Sequence, residues 1–447
     1  MNDIISAYLD RYGCDRRWNM EGPAPRGIET VIIIPALAES THLFETLESI
    51  AKNDGTGRSG AMVVCVINNG VDVSEIDRRD NERTLALLRK MNGKYRELPL
   101  AYIDASSPGR ELPAKGGGVG FARKIGMDRA LELFDRERET PKLLLCLDAD
   151  TLVEPDWLSV VRGRFTSDSL TAAAVEFSHR RGGTSAEDDA IVRYETLIRY
   201  YVLGLDYAGS SYSYHSIGST MAVTAEGYAA VRGMSRRPAG EDFHFLNKVA
   251  KIGRIDIIDE TRVYPSARVS SRVLFGTGRA VAEGTAQGAS LKYGWNPEVF
   301  RVLKEWTLCL ETHASEDAGR LLERVRDIHP ETAAFLEEER FAAVWPRLQE
   351  NSARKGTTER HARTWFDALK TYRLIRRLTR TVYQPIDLYE ALYSLIIMIG
   401  LSPPSDWREA GRKGLEERRD ILEFLRNAAL KPDRISRESL RHSGINH

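Results

Sequence analysis

A short apolar run that ends in two acids constrains the fold of this chain more than any other feature. Residues 143–147 read Leu-Leu-Leu-Cys-Leu, and Asp148, Ala149 and Asp150 follow directly. Five consecutive apolar side chains without glycine favour a strand buried on both faces of a parallel sheet over a half-exposed antiparallel strand. Ligands of open α/β sheets bind beyond the carboxyl ends of the strands, so this strand would deliver both acids to a ligand site.

The two acids predict a metal site. Side chains two residues apart in a flat strand share a face, but they converge on one ion only where the backbone turns. We therefore expect Asp148 at the strand end and Asp150 in the turn, before a helix that starts within residues 154–157. Carboxylate oxygens suit Mg²⁺ or Mn²⁺, which also accept phosphate oxygens of a substrate. The alternative is a pair of turn and capping acids.

Three earlier segments repeat the order of an apolar run, a polar strand end and, in two of them, a helical pattern. The apolar runs are 31–34, 63–67 and 100–103, and the helical patterns are 41–51 and 81–91. This alternation predicts βαβ units and a parallel sheet, which is an α/β fold. The carboxyl ends of parallel strands lie at one edge, so we expect one residue from each strand end along that edge: Glu39, Asn69, Asp104 and Asp148.

A glycine-rich segment lies between the third and fourth predicted strands. Lys115 precedes three glycines, and the helical pattern that follows carries Arg123. Glycines at a helix start allow close approach of the backbone to a ligand, and free amides there favour anions. The segment is neither a Walker loop, which needs Gly-Lys before Ser or Thr, nor a dinucleotide fingerprint, which follows the first strand. The alternative is a flexible loop with Lys115 and Arg123 in solvent.

Several segments, taken in order and spacing, resemble nucleotide-sugar glycosyltransferases of the GT-A fold, and family 2 is the most similar group. They lie between Gly27 and Glu260 and are Ile34–Glu39, Asn68–Gly70, Ala122–Gly126, Leu147–Asp150, Pro155–Leu158, Ile217–Val223, Tyr228–Gly233 and Gly240–Phe243. The resemblance implies a Rossmann-like, mixed and mostly parallel sheet with flanking helices. It also implies an enzyme that transfers a sugar from a UDP- or GDP-linked donor to an acceptor hydroxyl.

The resemblance assigns individual residues to the donor. Those that match donor-binding positions of the family are Pro35, Ala36, Glu39, Asn69, Lys115, Arg123 and Asp148. Pro35, Ala36 and Glu39 match the loop after the first strand, which holds the nucleotide. Asn69 stands where the family usually has an Asp that contacts the nucleotide base, so the resemblance does not specify which base the donor carries.

The resemblance also assigns the cation and the catalytic base. Asp148 and Asp150 match the Asp-X-Asp motif, which binds the ribose and the metal-bridged diphosphate, with Mn²⁺ or Mg²⁺ as cofactor. Asp242 matches the base of inverting members, and Glu241 lies beside it. A cation neutralises the leaving diphosphate, and a base is needed because an alcohol is a poor nucleophile. The alternative for Asp242 is the N-cap of a helix over 243–251.

Two further groups are candidates for ion binding. His179, His215 and His244 are candidates for a third metal ligand, and His215 is the first choice because its loop approaches the predicted acceptor strand; the alternative is a structural histidine. The candidate anion-binding residues after Pro265 are Arg268, Arg272, Gly276 and Gly278. Backbone amides at those glycines and two guanidinium groups suit a diphosphate or an anionic acceptor. Ordinary helix capping beside a solvated basic face is the alternative.

The chain divides into three predicted regions, an N-terminal extension at 1–25, a GT-A domain at 26–265 and a helical region at 266–447. Proline and helical periodicity predict six helices in the last region. They lie near 296–311, 316–328, 331–350, 358–379, 385–400 and 414–430.

Composition agrees with a cytoplasmic enzyme. Lys plus Arg and Asp plus Glu each total 64 in 447 residues, which offers no electrostatic case for nucleic-acid binding. Cys65 and Cys146 lie in predicted strands, so we expect buried thiols in a reducing compartment. The longest apolar run, 395–401, is too short for a transmembrane segment. If residues 396–399 are exposed, they allow peripheral contact with a membrane. The alternative is that they are buried between helices.

The sequence therefore predicts a metal-dependent, inverting glycosyltransferase in which Asp242 activates an acceptor hydroxyl. A retaining GT-A enzyme that acts on a small phosphorylated or carboxylated acceptor is the nearest alternative, because such enzymes also have a Lys-Gly segment before the metal motif. A second alternative is a sugar-phosphate nucleotidyltransferase, but those enzymes usually carry a glycine-rich basic loop after the first strand, whereas residues 35–40 contain neither Gly nor Arg. A third alternative is a non-catalytic module, which would bind the nucleotide sugar and leave it intact.

Overall fold

The structure, a computed structural model, describes residues 4–91, 97–135, 137, 139–236, 240–268, 290–350 and 357–427. These residues divide into two units. The described residues of Met1–Arg181 and Ser216–Arg279 form the first unit, and those of Gly182–His215 and Ala280–His447 form the second.

The strands and helices are numbered here along the chain. The strands are β1 (Met20–Glu21), β2 (Thr30–Ala36), β3 (Ala61–Asn68), β4 (Leu100–Ala105), β5 (Leu143–Cys146), β6 (Leu152–Val153), β7 (Ala172–Phe177), β8 (Met221–Thr224), β9 (Ile255–Tyr264), β10 (Tyr293–Gly294) and β11 (Ile386–Asp387). The helices are α1 (Ile4–Tyr12), α2 (Leu43–Ala51), α3 (Gly55–Arg58), α4 (Glu75–Lys90), α5 (Val119–Ala130), α6 (Trp157–Ser167), α7 (Ser185–Tyr207), α8 (Ala225–Ala230), α9 (Glu241–Val249), α10 (Glu298–Thr312), α11 (Ala318–Ile328), α12 (Pro330–Glu338), α13 (Phe341–Glu350), α14 (Thr357–Trp365), α15 (Ala368–Thr381), α16 (Leu388–Met398) and α17 (Leu415–Asn427).

The first unit is built on a nine-stranded mixed sheet with the order β1-β4-β3-β2-β5-β8-β7-β9-β6. Its central block, β4-β3-β2-β5, is parallel throughout. Every residue of β2, β3 and β5 is buried, as expected for apolar strands covered on both faces. The predicted α/β class, the mixed sheet and the four parallel strands are confirmed.

Antiparallel pairing begins on the other side of β5. β8 runs antiparallel to both β5 and β7, whereas β7 and β9 are parallel, and β6 closes the edge antiparallel to β9. The order of the strands reverses at β2: β3 and β4 follow on one side of it, and β5 lies on the other. Ligand crevices of α/β sheets lie at such switch points, so the acids that follow β5 stand at the expected place.

Pro35 helps to open the sheet at this point. The last ladder bond between β2 and β5 runs from the Leu147 N–H to the Ile33 carbonyl over 3.1 Å. The next donor on that side of β2 would be residue 35, and proline has no N–H to donate. The chain after Leu147 is thus free to leave the sheet and turn.

The described N-terminal residues pack on the core of the first unit. β1 pairs with β4 at the sheet edge. The buried Asp128 carboxylate of α5 accepts hydrogen bonds from the Tyr8 hydroxyl at 2.7 Å and from the Cys14 N–H at 2.9 Å. Lys124 neutralises this carboxylate at 2.8 Å. A buried, fully bonded carboxylate fixes the N-terminal segment on α5.

The second unit is helical, with a short β10–β11 pair. The predicted helix over 331–350 is two helices, α12 and α13, because Arg340 between them has a left-handed φ of 60°. The predicted helix over 358–379 also divides, since Asp367 caps the start of α15 by accepting the N–H groups of Leu369 and Lys370 at 3.1 Å. The other four predicted helices match single helices within a few residues.

Helix α7 was predicted within the 26–265 domain, but the structure groups it with the C-terminal helices. Arg426 of α17 forms a bidentate pair with the buried Glu195 of α7, at 2.7 and 2.8 Å. Arg418 of α17 also pairs with Asp189 of α7, and its Nε and Nη2 both donate to Asp189 Oδ1, at 2.7 and 2.5 Å. These pairs join residues far apart in sequence, which is why a division at residue 265 missed them.

The predicted burial of Cys65 and Cys146 is confirmed, and Cys14 and Cys309 are buried as well. Across the described ranges, no helix combines the length and apolarity needed to cross a membrane. Within the apolar segment 396–399, Ile396 is buried and Ile397 is exposed.

Candidate active site

The candidate site lies at the carboxyl edge of the parallel strands. Glu39, Asn69 and Asp148 follow the ends of β2, β3 and β5, and Asp104 occupies the end of β4. Because these strands are parallel, the four residues lie at one edge, as predicted. Their side chains, however, have very different surroundings.

The turn after β5 has the predicted form. Asp148 follows the last ladder residue, and the Thr151 N–H donates to the Asp148 carbonyl at 3.1 Å, which closes a turn around Asp150. The Thr46 hydroxyl of α2 holds the Ala149 carbonyl at 2.9 Å. The predicted helix start is confirmed, with α6 beginning at Trp157.

Arg123 connects this turn to the start of α9. Its Nη2 donates to Asp148 Oδ1 at 2.6 Å, and its Nη1 donates to Glu241 Oε1. The side chains of Arg123 and Glu241 are only 4% and 5% exposed, whereas Asp148 is 39% exposed. One buried guanidinium therefore links two carboxylates that lie 93 positions apart in the chain (241 − 148).

Two glycines make room for this arrangement. A Cβ at Gly218 would collide with the Arg123 guanidinium, and a Cβ at Gly120 would lie 2.7 Å from Glu241 Cγ. Both positions are closer than real Cβ contacts permit, so the guanidinium and the Glu241 side chain require glycine beneath them. Gly120 of the glycine-rich segment thus serves packing. Gly118 of the same segment has a φ of 126°, a backbone conformation that favours glycine.

Asp242 is a half-buried carboxylate with a perturbed pKa. Burial raises the pKa of Asp242 to about 7, and the negative charge of Glu241 acts in the same direction, while Arg123 opposes both. The suggested N-cap role is wrong, because Gly240 is the N-cap of α9 and Asp242 lies in its first turn. Its Oδ1 accepts the Phe243 N–H at 2.7 Å.

Arg268 bridges a second pair of acids at the same edge. Its Nε donates to Asp150 Oδ2 at 2.8 Å, and its Nη2 donates to Glu39 Oε1. Arg180 lies nearby, but it donates to the backbone carbonyl of Asp150 at 3.0 Å. Burial, reinforced by the positive charge of Arg268, lowers the pKa of His42.

The side chains of Asn69 and Asp104 form hydrogen bonds with other residues of the first unit. The buried Asn69 amide donates to the Gly70 carbonyl and accepts from Asn81 Nδ2 at 2.8 Å. Asp104 Oδ1 accepts the N–H groups of Ser106 and Ser107 at 3.0 and 2.9 Å. Although burial acts to raise it, these bonds lower the pKa of Asp104. Both residues shape the loops after their strands.

Asn81 of α4 was not recognised from the sequence. Besides Asn69, its amide donates to the Asn68 carbonyl at 3.1 Å, and its Oδ1 accepts the Ala38 N–H at 2.9 Å. It therefore ties the loops after β2 and β3 together, and it holds Ala38 in a left-handed conformation with φ of 53°. An Asn on the buried face of α4, beside Leu85 and Leu88, was the available signal.

The structure bears differently on the remaining predicted residues. Pro35 and Ala36 are the last two residues of β2 and are buried, so they are not part of the loop that the resemblance implied. Lys115 is exposed. Three of the proposed anion-binding residues lie outside the described ranges: Arg272, Gly276 and Gly278.

The candidate histidines have different locations. His179 is buried in the first unit with its ring edge against Phe177, at 5.3 Å between ring centroids. His244 lies on α9, and His215 is buried in the second unit. The described residues contain no group of three or more His, Cys, Asp or Glu side chains arranged to hold a metal ion. A third protein ligand at the acidic turn stays a prediction.

No protein-family model matches the sequence, and no curated protein sequence matches it either. Solved structures similar to the chain include S. aureus TarS 1–349 in complex with UDP-GlcNAc, with 12% identity, a TM-score of 0.38 and coverage of 79% of this chain and 92% of that one. Mannosyltransferase PcManGT from Pyrobaculum calidifontis, in complex with GDP-Man and Mn²⁺, has 16% identity, a TM-score of 0.38 and coverage of 88% and 91%. TM-scores this low do not establish a shared fold, so the GT-A assignment stays a prediction.

Proposed function

We propose that this chain is a metal-dependent glycosyltransferase that moves a sugar from a nucleoside-diphosphate sugar to an acceptor hydroxyl with inversion. One observation carries the proposal. The Arg123 guanidinium joins Asp148, in the acidic turn after β5, to Glu241, which precedes Asp242. A carboxylate with a pKa of about 7 is thereby held near acids suited to a cation and diphosphate.

Asp242 is the proposed general base. A base works best when its pKa is close to the working pH, and a pKa of about 7 meets that condition. Oδ1 accepts the Phe243 N–H, which leaves Oδ2 for the proton of the acceptor hydroxyl. The acceptor oxygen then bonds to the anomeric carbon, while the bond from that carbon to the phosphate oxygen breaks. The electron pair leaves with the nucleoside diphosphate.

The residues at the acidic turn fit a divalent cation that takes part of its coordination from the donor. Asp148 and Asp150 would hold Mn²⁺ or Mg²⁺, and phosphate oxygens and water would complete the shell, as is usual for magnesium nucleotides. When bound, such a cation neutralises charge that develops on the leaving diphosphate. Each of these carboxylates already carries a positively charged partner, Arg123 or Arg268, so both positions suit cations.

Arg123 is best assigned as a positioning residue. Its guanidinium is buried and bonded to Asp148 and Glu241, so it acts on the donor through the two carboxylates. Two ionic hydrogen bonds from one rigid group fix the distance between the turn and α9. The donor-sugar contact that the resemblance implied for Arg123 is not needed for this role.

Calorimetric titration with UDP- and GDP-sugars in the presence of Mn²⁺ tests the proposal. We expect Asp150→Asn to lose metal-dependent donor binding, and Asp242→Asn to bind the donor but lose turnover. Asp406→Asn, the control, removes an exposed carboxylate of the second unit and should change neither donor binding nor turnover. Unchanged donor affinity in Asp150→Asn would overturn the metal assignment.

The stereochemistry has its own test. An inverting enzyme that uses Asp242 yields a product of opposite anomeric configuration to the donor, whereas a retaining enzyme preserves it. Proton NMR coupling at the anomeric position of the first-formed product distinguishes the two. A retained configuration would refute the role of Asp242 as base and leave the donor site standing.

A further inference from the structure

Glu39 and Asp150 both accept hydrogen bonds from a single guanidinium, that of Arg268. Glu39 belongs to the loop after β2, and Asp150 belongs to the turn after β5. Arg268 Nε reaches Asp150 Oδ2 at 2.8 Å, and Nη2 reaches Glu39 Oε1. The side chains of Arg268 and Asp150 are 29% and 18% exposed, so solvent ions have access to Asp150, whereas the Glu39 side chain is only 11% exposed.

Without Arg268, these two carboxylates would form a cluster of like charge. Two acids at one position repel each other unless a cation lies between them or one acid takes up a proton. The guanidinium therefore performs the charge neutralisation that a divalent ion would perform at the same oxygens. It also occupies one oxygen of each carboxylate with a directed hydrogen bond.

We propose that Arg268 and a divalent cation compete for the carboxylate oxygens of Glu39 and Asp150, so that the cation binds only as Arg268 withdraws from them. This inference rests on the proposed function, because that proposal assigns Asp150 to the cation. It predicts that the free protein binds Mn²⁺ weakly. The low Mn²⁺ affinity would come from competition by Arg268 rather than from unsuitable ligands.

Binding of Mn²⁺ alone, measured from the electron paramagnetic resonance signal of the free ion at pH 7.5, tests the competition. We expect Arg268→Met to bind Mn²⁺ roughly tenfold more tightly than the unchanged protein, because a partly buried ion pair no longer has to be broken. Adding Asp150→Asn to Arg268→Met should abolish the gain, which locates the ion at this carboxylate.

Arg180→Met is the matched control. Arg180 also carries a positive charge next to Asp150, but it donates to the backbone carbonyl and to Glu45 rather than to the Asp150 carboxylate. Loss of its charge acts only through space, so we expect a gain of less than about threefold. An equal gain in Arg180→Met and Arg268→Met would overturn direct competition.

Arg268→Lys guards against a folding defect in Arg268→Met. Lysine keeps the charge but presents a single ammonium, which does not match two carboxylates as a guanidinium does. We expect Mn²⁺ affinity between those of the unchanged protein and Arg268→Met, with thermal melting confirming that each variant is folded. Arg268→Met affinity that is unchanged, weaker or undetectable would refute the inference.

The two proposals fail in different ways. A thermal-shift screen of nucleotide sugars in excess Mn²⁺ reports donor binding, whereas the resonance titration reports Mn²⁺ affinity in the absence of a donor. Donor binding without a gain in Arg268→Met refutes the competition alone. Absence of donor binding, with the expected Mn²⁺ gain, refutes the transferase and preserves the competition.

Discussion

Replacing Arg123 by Met removes the guanidinium that joins Asp148 to Glu241 but keeps an unbranched apolar stem. Glu241 would then retain a buried carboxylate without its cationic partner. Breaking a buried ion pair from one side costs about 3–5 kcal/mol of unfolding free energy. The more exposed pair with Asp148 adds less than about 1 kcal/mol. We expect a total loss of about 3–6 kcal/mol.

Urea unfolding at pH 7 measures this loss, and Arg79→Met provides the control. Arg79 pairs with Glu75 at 2.8 Å across one turn of α4, but both side chains are mostly exposed. Such a pair contributes about 0.3–0.5 kcal/mol. The two variants delete the same chemical group from a helix, so the difference between them isolates the effect of burial.

The double variant Arg123→Met/Glu241→Gln tests the cause. A neutral amide at position 241 removes the carboxylate that lost its partner, so we expect it to recover about 2 kcal/mol of the loss. A loss in Arg123→Met no larger than that of Arg79→Met would refute the electrostatic account of the site. So would a double variant less stable than Arg123→Met.

Three further predictions concern the base and the loops. Because Asp242 must be ionised to act as a base and its pKa is about 7, kcat/KM should rise about tenfold between pH 6 and pH 8 and then level off; a flat profile would contradict its role. Because the folded-state pKa of Asp242 lies above the usual value of 3.8, folding favours the protonated acid, and stability falls as pH rises from about 4 to about 7. Asp242→Asn should therefore be more stable than the unchanged protein at pH 8, by on the order of 1 kcal/mol or more. Urea unfolding at pH 5 and pH 8 should show a smaller gain in stability at pH 5. Asn81→Leu should lower the unfolding free energy by about 2–3 kcal/mol, because the Ala38 N–H and the Asn68 and Asn69 oxygens lose a buried partner; thermal melting no different from the unchanged protein would show that Asn81 does not hold the loops.

Helices and strands could be predicted closely because their signals are local. Continuous apolar runs at 31–34, 63–67 and 143–147 all lie in or overlap strands buried on both faces. The alternation of strands and helices was enough to predict parallel pairing and one shared edge, since crossover connections return the chain in the same direction. A local signal was overlooked at Asp367, a residue type that favours the N-cap and divides a predicted helix.

The chemistry of the site divides along the same line. Sequence alone determined which acids stand at the strand ends, and resemblance pointed to Asp242 as a base. Only the tertiary structure decided which charges meet: Arg123 with Glu241 and Asp148, and Arg268 with Glu39 and Asp150. An ion pair depends on where distant backbone segments place two side chains, and no local pattern of residues records that placement. For the same reason, the raised pKa of Asp242 became visible only when burial and the charge of Glu241 were known.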